Sequence, residues 1–177
     1  MTAPIKPAAS SLYGKDNWFF VPTVASAALI PTAVEVNAAG SLDVTDMLFA
    51  DWTMPGQTTN RVARERRYGD TVVAETIGAL NLTGGTLHYA FDPQAAAGSN
   101  GKKAFEKFGG TSGTTGYLVR RRGIAKATTP AAADFVNCYK VTIGPAGDGD
   151  AGQGEAAESG MVQEFTVDDR AINVQLT

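Results

Sequence analysis

The chain has 177 residues, is 44% hydrophobic and 19% charged, and carries a formal net charge of −3. That length suits one domain with a core that needs neither metal nor disulfide. The acidic balance argues against a general nucleic-acid or membrane binder.

Residues 1–16 read as a loose arm rich in Pro, Ala and Ser, with no signal-peptide core. "NWFFVPTV", Asn17–Val24, predicts a first strand closed by Pro22. The longest weakly apolar run, Thr23–Val34, is too short to cross a bilayer, and Pro31 interrupts it. The expectation is a soluble chain made in the cytoplasm, with no membrane partner. Ala33–Val44 predicts two short extended pieces around Gly40. Thr45–Trp52 fits a helical turn or a loop, and Pro55-Gly56 a turn.

Asn60–Asp70, "NRVARERRYGD", is basic. Val62 suits a strand, but Arg64, Arg66 and Arg67 leave almost no apolar face. The alternating run from Val72 onward predicts a hairpin whose tip is Gly84-Gly85, with Leu87, Tyr89 and Phe91 on one face and His88, Ala90 and Asp92 on the other. Asp92-Pro93 then predicts the entry of one short helix. Phe105 and Phe108 share a face of it, and Gly109-Gly110 end it.

Gly116–Lys126, "GYLVRRRGIAK", reads as a strand holding three consecutive arginines, with Arg120 and Arg122 pointing outward and Arg121 reaching solvent at its end. "DFVNCYKVTIG" is a further strand carrying Cys138, the single cysteine, expected as a buried structural thiol. Residues 145–160 form an acidic Gly-rich loop. Residues 161–177 predict two strands around Asp168-Asp169. The fold class is therefore mainly β, an antiparallel sandwich or barrel with one flanking α-helix. A single domain spans 1–177, with an N-terminal arm at 1–16 and the acidic loop at 145–160.

Catalytic chemistry finds no support. The single histidine, His88, has no metal-spaced partner and reads as structural. There is no Gly-x-Ser-x-Gly elbow. "GGTSGTTG" lacks the Gly-Lys-Ser/Thr ending and leads into a strand, so it is not a phosphate cradle. Asp148, Asp150 and Glu155 miss the order of a calcium loop. No catalytic, cofactor-binding or metal-binding residue is expected, and no cofactor.

Charge is unevenly spread. Residues 61–126 carry a net of +6 and residues 127–177 a net of −6. Opposite patches on one chain suit association with copies of itself. Forked arginines pair well with carboxylates. The basic candidates for subunit contacts are Arg64, Arg66, Arg120, Arg121 and Arg122; the acidic ones are Asp148, Asp150, Glu155, Glu158, Asp168 and Asp169.

Several pieces in order resemble the major tail tube proteins of long-tailed, siphovirus-type bacteriophages, chiefly those of actinobacterial hosts. They are "FFVPT", "PTAVEVNAAGSLDVTDML", "LTGGTLHYAFDPQ" before an Ala-rich stretch, "GTTGYLVRRRGI", and an acidic C-terminal strand pair. The resemblance implies a structural virion protein, not an enzyme, that polymerises as stacked hexameric rings. The resulting tube is a conduit for DNA ejection and meets tape measure, terminator and distal tail proteins. DNA passes through the lumen without specific binding, because basic lumen residues would hold its phosphates. The other readings are a tail terminator or decoration protein, or a non-enzymatic β-sandwich binding module.

Overall fold

The computed structural model describes residue 12 and residues 14–72, 74–152 and 157–177. The chain is mainly β. In sequence order the elements are β1 (Asp16–Val21), α1 (Ala33–Val36), β2 (Leu42–Asp43), β3 (Gly56–Ala63), β4 (Glu75–Thr83), β5 (Gly85–Ala90), α2 (Lys103–Lys107), β6 (Thr114–Arg122), β7 (Phe135–Ile143), β8 (Gly147–Asp148) and β9 (Gly160–Gln175). One sheet has the hydrogen-bonded order β2-β1-β6-β7-β9-β5, with β8 also on β9; β3 and β4 form a separate two-stranded sheet. The pairs β1–β2, β1–β6, β3–β4, β5–β9 and β8–β9 are all antiparallel. Residues group into two compact units, Met1–Leu48 with Thr115–Lys140 and Arg170–Thr177, and Phe49–Thr114 with Val141–Asp169.

In the first unit, Phe19, Val21, Val119, Val136 and Cys138 face one another with Val24, Leu29, Val36 and Leu176. β1 ends before Pro22, as a residue without a backbone donor requires. Ala33–Val36 is helical, not extended as its sequence suggested. Thr32 and Glu35 form a capping box, the Glu35 N–H donating to Thr32 Oγ1 at 3.0 Å and the Thr32 N–H to Glu35 Oε2 at 2.7 Å. Local capping outweighs the β preference of two valines.

In the second unit, Leu87, Tyr89, Phe108 and Phe165 are buried. Tyr89 meets Phe108 edge-on at 5.3 Å, and its hydroxyl donates to Gln163 Oε1 at 2.6 Å. Gln163 Nε2 donates to the Gly144 carbonyl, so the buried amide is satisfied at both ends. Burial pushes the Tyr89 phenol up.

Three expectations are corrected here. The helix after Asp92 is only Lys103–Lys107; Asp92 Oδ1 instead accepts from the Gln94 N–H in a tight turn. It does end at Gly109, whose φ is +62°. Gly84-Gly85 is not a hairpin tip, since β4 pairs with β3 and β5 with β9. The glycines serve close approach: a Cβ on Gly84 would lie 1.9 Å from the Phe165 carbonyl oxygen, and one on Gly85 2.2 Å from that of Thr53. The C-terminal strands are one strand of 16 residues, β9, because Asp168 and Asp169 lie where the strand is exposed and its pairing does not require burying them.

Candidate assembly surface

The three arginines of β6 have three different environments. Arg120 is forked onto Asp16 of β1, Nε to Oδ1 at 2.7 Å and Nη2 to Oδ2 at 2.6 Å, and lies 5.1 Å from the Trp18 ring. That hydrogen-bonded carboxylate holds its guanidinium above the ordinary value. Arg121 shares the core side of β6 with Val119 and is wholly buried. It donates to Asp134 Oδ2 at 3.0 Å and to the Thr128 carbonyl. The expectation that it reaches solvent is therefore corrected: the following loop folds back and supplies an internal carboxylate. Arg122 is exposed at the strand end.

In the second unit, β3 and β4 form a ribbon whose β3 residues are all exposed. Its strands of eight and nine residues extend about 27 Å at 3.4 Å per residue. Val62, Ile77 and Leu80 are exposed along it, and Val72 is exposed in the connection between its strands. The connection between the strands is basic. Arg64 Nε donates to Thr76 Oγ1 at 3.2 Å and Arg66 Nε to the Asp70 carbonyl at 3.1 Å. These bonds use the Nε donors of both side chains. Arg64, Arg66, Arg67, Asp70 and Val72 line a concavity of ≈ 740 Å³. Among the described residues, no ion pair engages Arg64, Arg66, Arg67 or Arg122.

The described acidic candidates also belong to the second unit. Asp148 ends β8 and is exposed; Asp150 accepts from the Gly160 N–H at 3.4 Å. Glu158 pairs through its backbone with Ala151. Asp168 accepts from Thr142 Oγ1 at 2.9 Å, and Asp169 is exposed on β9. Glu155 lies outside the described residues. The segment read as a loop thus holds a short strand. Among the described residues no cluster of His, Cys, Asp and Glu could hold a metal ion.

A chain with a solvent-open ribbon carrying exposed Val62, Ile77 and Leu80, a basic connection and exposed carboxylates has the equipment for self-association. A family model described as phage tail tube protein matches residues 4–174. The chain belongs to the phage tail tube protein family. It is a structural component of the phage tail, and tail tube proteins assemble with one another and with other tail proteins. Two solved structures are similar to this tail tube protein. A chain from "Cryo-EM structure of the anti-feeding prophage (AFP) baseplate, 6-fold symmetrised" has 11% identity and a TM-score of 0.49, covering 97% of this chain and 96% of that one. A chain from "Hybrid structure of the SPP1 tail tube by solid-state NMR and cryo EM" has 11% identity and a TM-score of 0.47, covering 93% and 79%. No curated protein sequence matches.

Sequence reasoning missed Asp16 and Asp134, the internal partners of Arg120 and Arg121. Nothing in their spacing marks them, because both pairings are made across strands or loops. It also missed the ribbon's apolar residues. The residues were visible in "TVVAETIGAL", but nothing in that stretch distinguishes an exposed ribbon from a core strand.

Proposed function

We propose that this tail tube protein polymerises as stacked hexameric rings in a siphovirus-type phage of an actinobacterial host, after synthesis in the host cytoplasm. Residues 1–177 act as a single tail-tube domain with the arm at 1–16 and the acidic segment at 145–160. Its partners are copies of itself and the tape measure, terminator and distal tail proteins. DNA leaves through the lumen without specific binding, and the protein catalyses nothing.

The observation that carries this reading is the β3–β4 ribbon. An isolated two-stranded ribbon is marginal in water, and burying Val62, Ile77 or Leu80 against a neighbour would return about 1.5–3 kcal/mol per fully covered side chain. The ribbon is the arm that docks on an adjacent subunit. Arg64, Arg66 and Arg122 face carboxylates of that neighbour drawn from Asp148, Asp150, Glu155, Glu158, Asp168 and Asp169. Arg120 and Arg121 leave this set, because their charges are already paired within the fold.

The test is electron microscopy of the purified, concentrated protein beside a variant in which residues 57–82 are replaced by a short Gly-Ser turn. Wild type should form uniform tubes with a central channel. The variant should stay dispersed while keeping β-type circular dichroism and a cooperative melt. Tubes from the shortened variant would overturn the arm assignment, and single wild-type rings that never stack would point to a terminator.

A further inference from the structure

One side chain from β5 reaches the acidic segment and adds to its backbone pairing with β9. His88, the only histidine, is on β5 and its side chain is 11% exposed. Its Nδ1 lies 2.7 Å from Asp51 Oδ1 and its Nε2 lies 2.8 Å from the Gly149 carbonyl oxygen. Phe49 closes over the ring edge-on at 4.6 Å. A carboxylate and a carbonyl oxygen only accept hydrogen bonds, so both contacts are made together only when both ring nitrogens carry protons.

The segment that His88 grips is a strap over β9. Gly147 and Asp148 pair with Val162 and Met161, and the Gly149 N–H donates to the Gly160 carbonyl at 3.2 Å. A Cβ on Gly149 would lie 2.1 Å from Val162 Cγ2, so the strap lies flat on that side chain. Val162 is also the register partner of His88. The ring is therefore enclosed from three sides: by the Phe49–Asp51 turn, by the strap, and by β9. Within two positions of the residues that touch or pair with His88, the charged groups are Asp51, Asp148, Asp150 and Glu164. All are acidic and favour a cation at the ring.

We propose that His88 is a pH-sensitive latch: doubly protonated, it fastens the strap at 147–152 over β9, and on losing a proton it releases the strap. The direction of release follows from the two acceptors. The remaining proton stays on Nδ1, because a hydrogen bond to a carboxylate is stronger than one to a carbonyl. Nε2 then presents a lone pair to the Gly149 oxygen, and that contact becomes repulsive. The fastening that needs both ring protons is present in acid and is lost as pH rises and one proton leaves. The latch is independent of how subunits assemble, although it controls the posture of Asp148 and Asp150.

The test uses the full chain, and the single histidine makes the signal unambiguous. Imidazole nitrogen NMR should show both nitrogens protonated in acid and the proton leaving Nε2 as pH rises. Amide exchange at Gly149, corrected for the intrinsic pH dependence, should lose about tenfold in protection between about pH 5 and 8, with protection across Leu87–Ala90 unchanged. His88→Gln should remove the pH dependence at Gly149. Asp51→Asn, which removes the nearest negative charge, should move the loss to lower pH. Constant protection at Gly149 in the wild type, an equal loss in His88→Gln, or departure of the proton from Nδ1 would each overturn the latch.

Discussion

Charge removal at Asp134 should damage the fold more than removal of its buried arginine. The Arg121 side chain is 0% exposed, while that of Asp134 is 17% exposed. Arg121 Nη1 donates to Asp134, Nη2 to the Thr128 carbonyl, and the guanidinium carbon lies 5.7 Å from the Phe19 ring; Nε has no partner. In Asp134→Ala, the cation stays in a dry site with one carbonyl for company. Stranding a buried charge costs about 3–5 kcal/mol. In Arg121→Met, an apolar chain of similar length packs on Phe19, and the surviving carboxylate retains the Ala131 N–H at 3.1 Å and some solvent. The loss is then the Thr128 hydrogen bond and part of the Asp134 pairing, about 1–2 kcal/mol. The double variant leaves no charge to strand and should be less damaged than Asp134→Ala alone. Guanidinium denaturation of all three, against a domain stability of about 5–15 kcal/mol, resolves these differences. A loss below about 1 kcal/mol for Asp134→Ala, the reverse order of the single variants, or strict additivity in the double would refute the argument. Arg122→Glu serves as the control, since an exposed site should change stability by less than about 0.5 kcal/mol.

Gly84→Ala should destabilise by about 3 kcal/mol, because its Cβ would sit 1.9 Å from the Phe165 oxygen; a thermal melt matching wild type would contradict the close approach. Burial pushes the Cys138 thiol up to about 12. It should therefore ignore Ellman's reagent at neutral pH until denaturant is added, and prompt reaction of the native protein would show an open site. Burial alone would raise the Glu35 carboxyl, but hydrogen bonds from Thr32 and Ala25 outweigh it and leave the group below its ordinary value. The sign is that of a depressed acid: the stabilisation is present above the unfolded value and lost as pH falls through the folded one. Thr32→Ala should cost about 1 kcal/mol at neutral pH and less in acid, measured by urea titration at both; an undiminished acid penalty would disconnect the cap from Glu35.

The strands were legible where one period governed. β1, β6 and β7 each show buried residues bounded by Pro or Gly, and each lies where its apolar run placed it. The same rule failed at Gly84-Gly85, because two glycines between apolar runs have two physical uses. They can supply a turn, or they can let backbones approach, and only the Phe165 and Thr53 carbonyls decide between these. The capping box at Thr32–Glu35 was written in the sequence but masked by Val34 inside it and Val36 just after it.

The arginine triplet shows the limit of reading charge from a strand. Alternation correctly separates Arg121 from Arg120 and Arg122, and Val119 correctly marks the core side. What alternation cannot supply is the carboxylate that makes an inward arginine tolerable. Without Asp134, a core-facing Arg121 would be excluded on energetic grounds, and pushing it toward solvent is the sound inference. The partner comes from a loop 13 residues away, so one tertiary contact changes the residue from a surface charge to a core clamp. Arg64 and Arg66, in the connection of the ribbon, differ in the opposite sense. Their Nε donors are used locally, and no ion pair engages them among the described residues, whereas Arg61 on β3 pairs with Glu75 at 3.8 Å. Charge already neutralised inside a subunit cannot also hold two subunits together, so the residues left unsatisfied in the fold are where the search for contacts belongs.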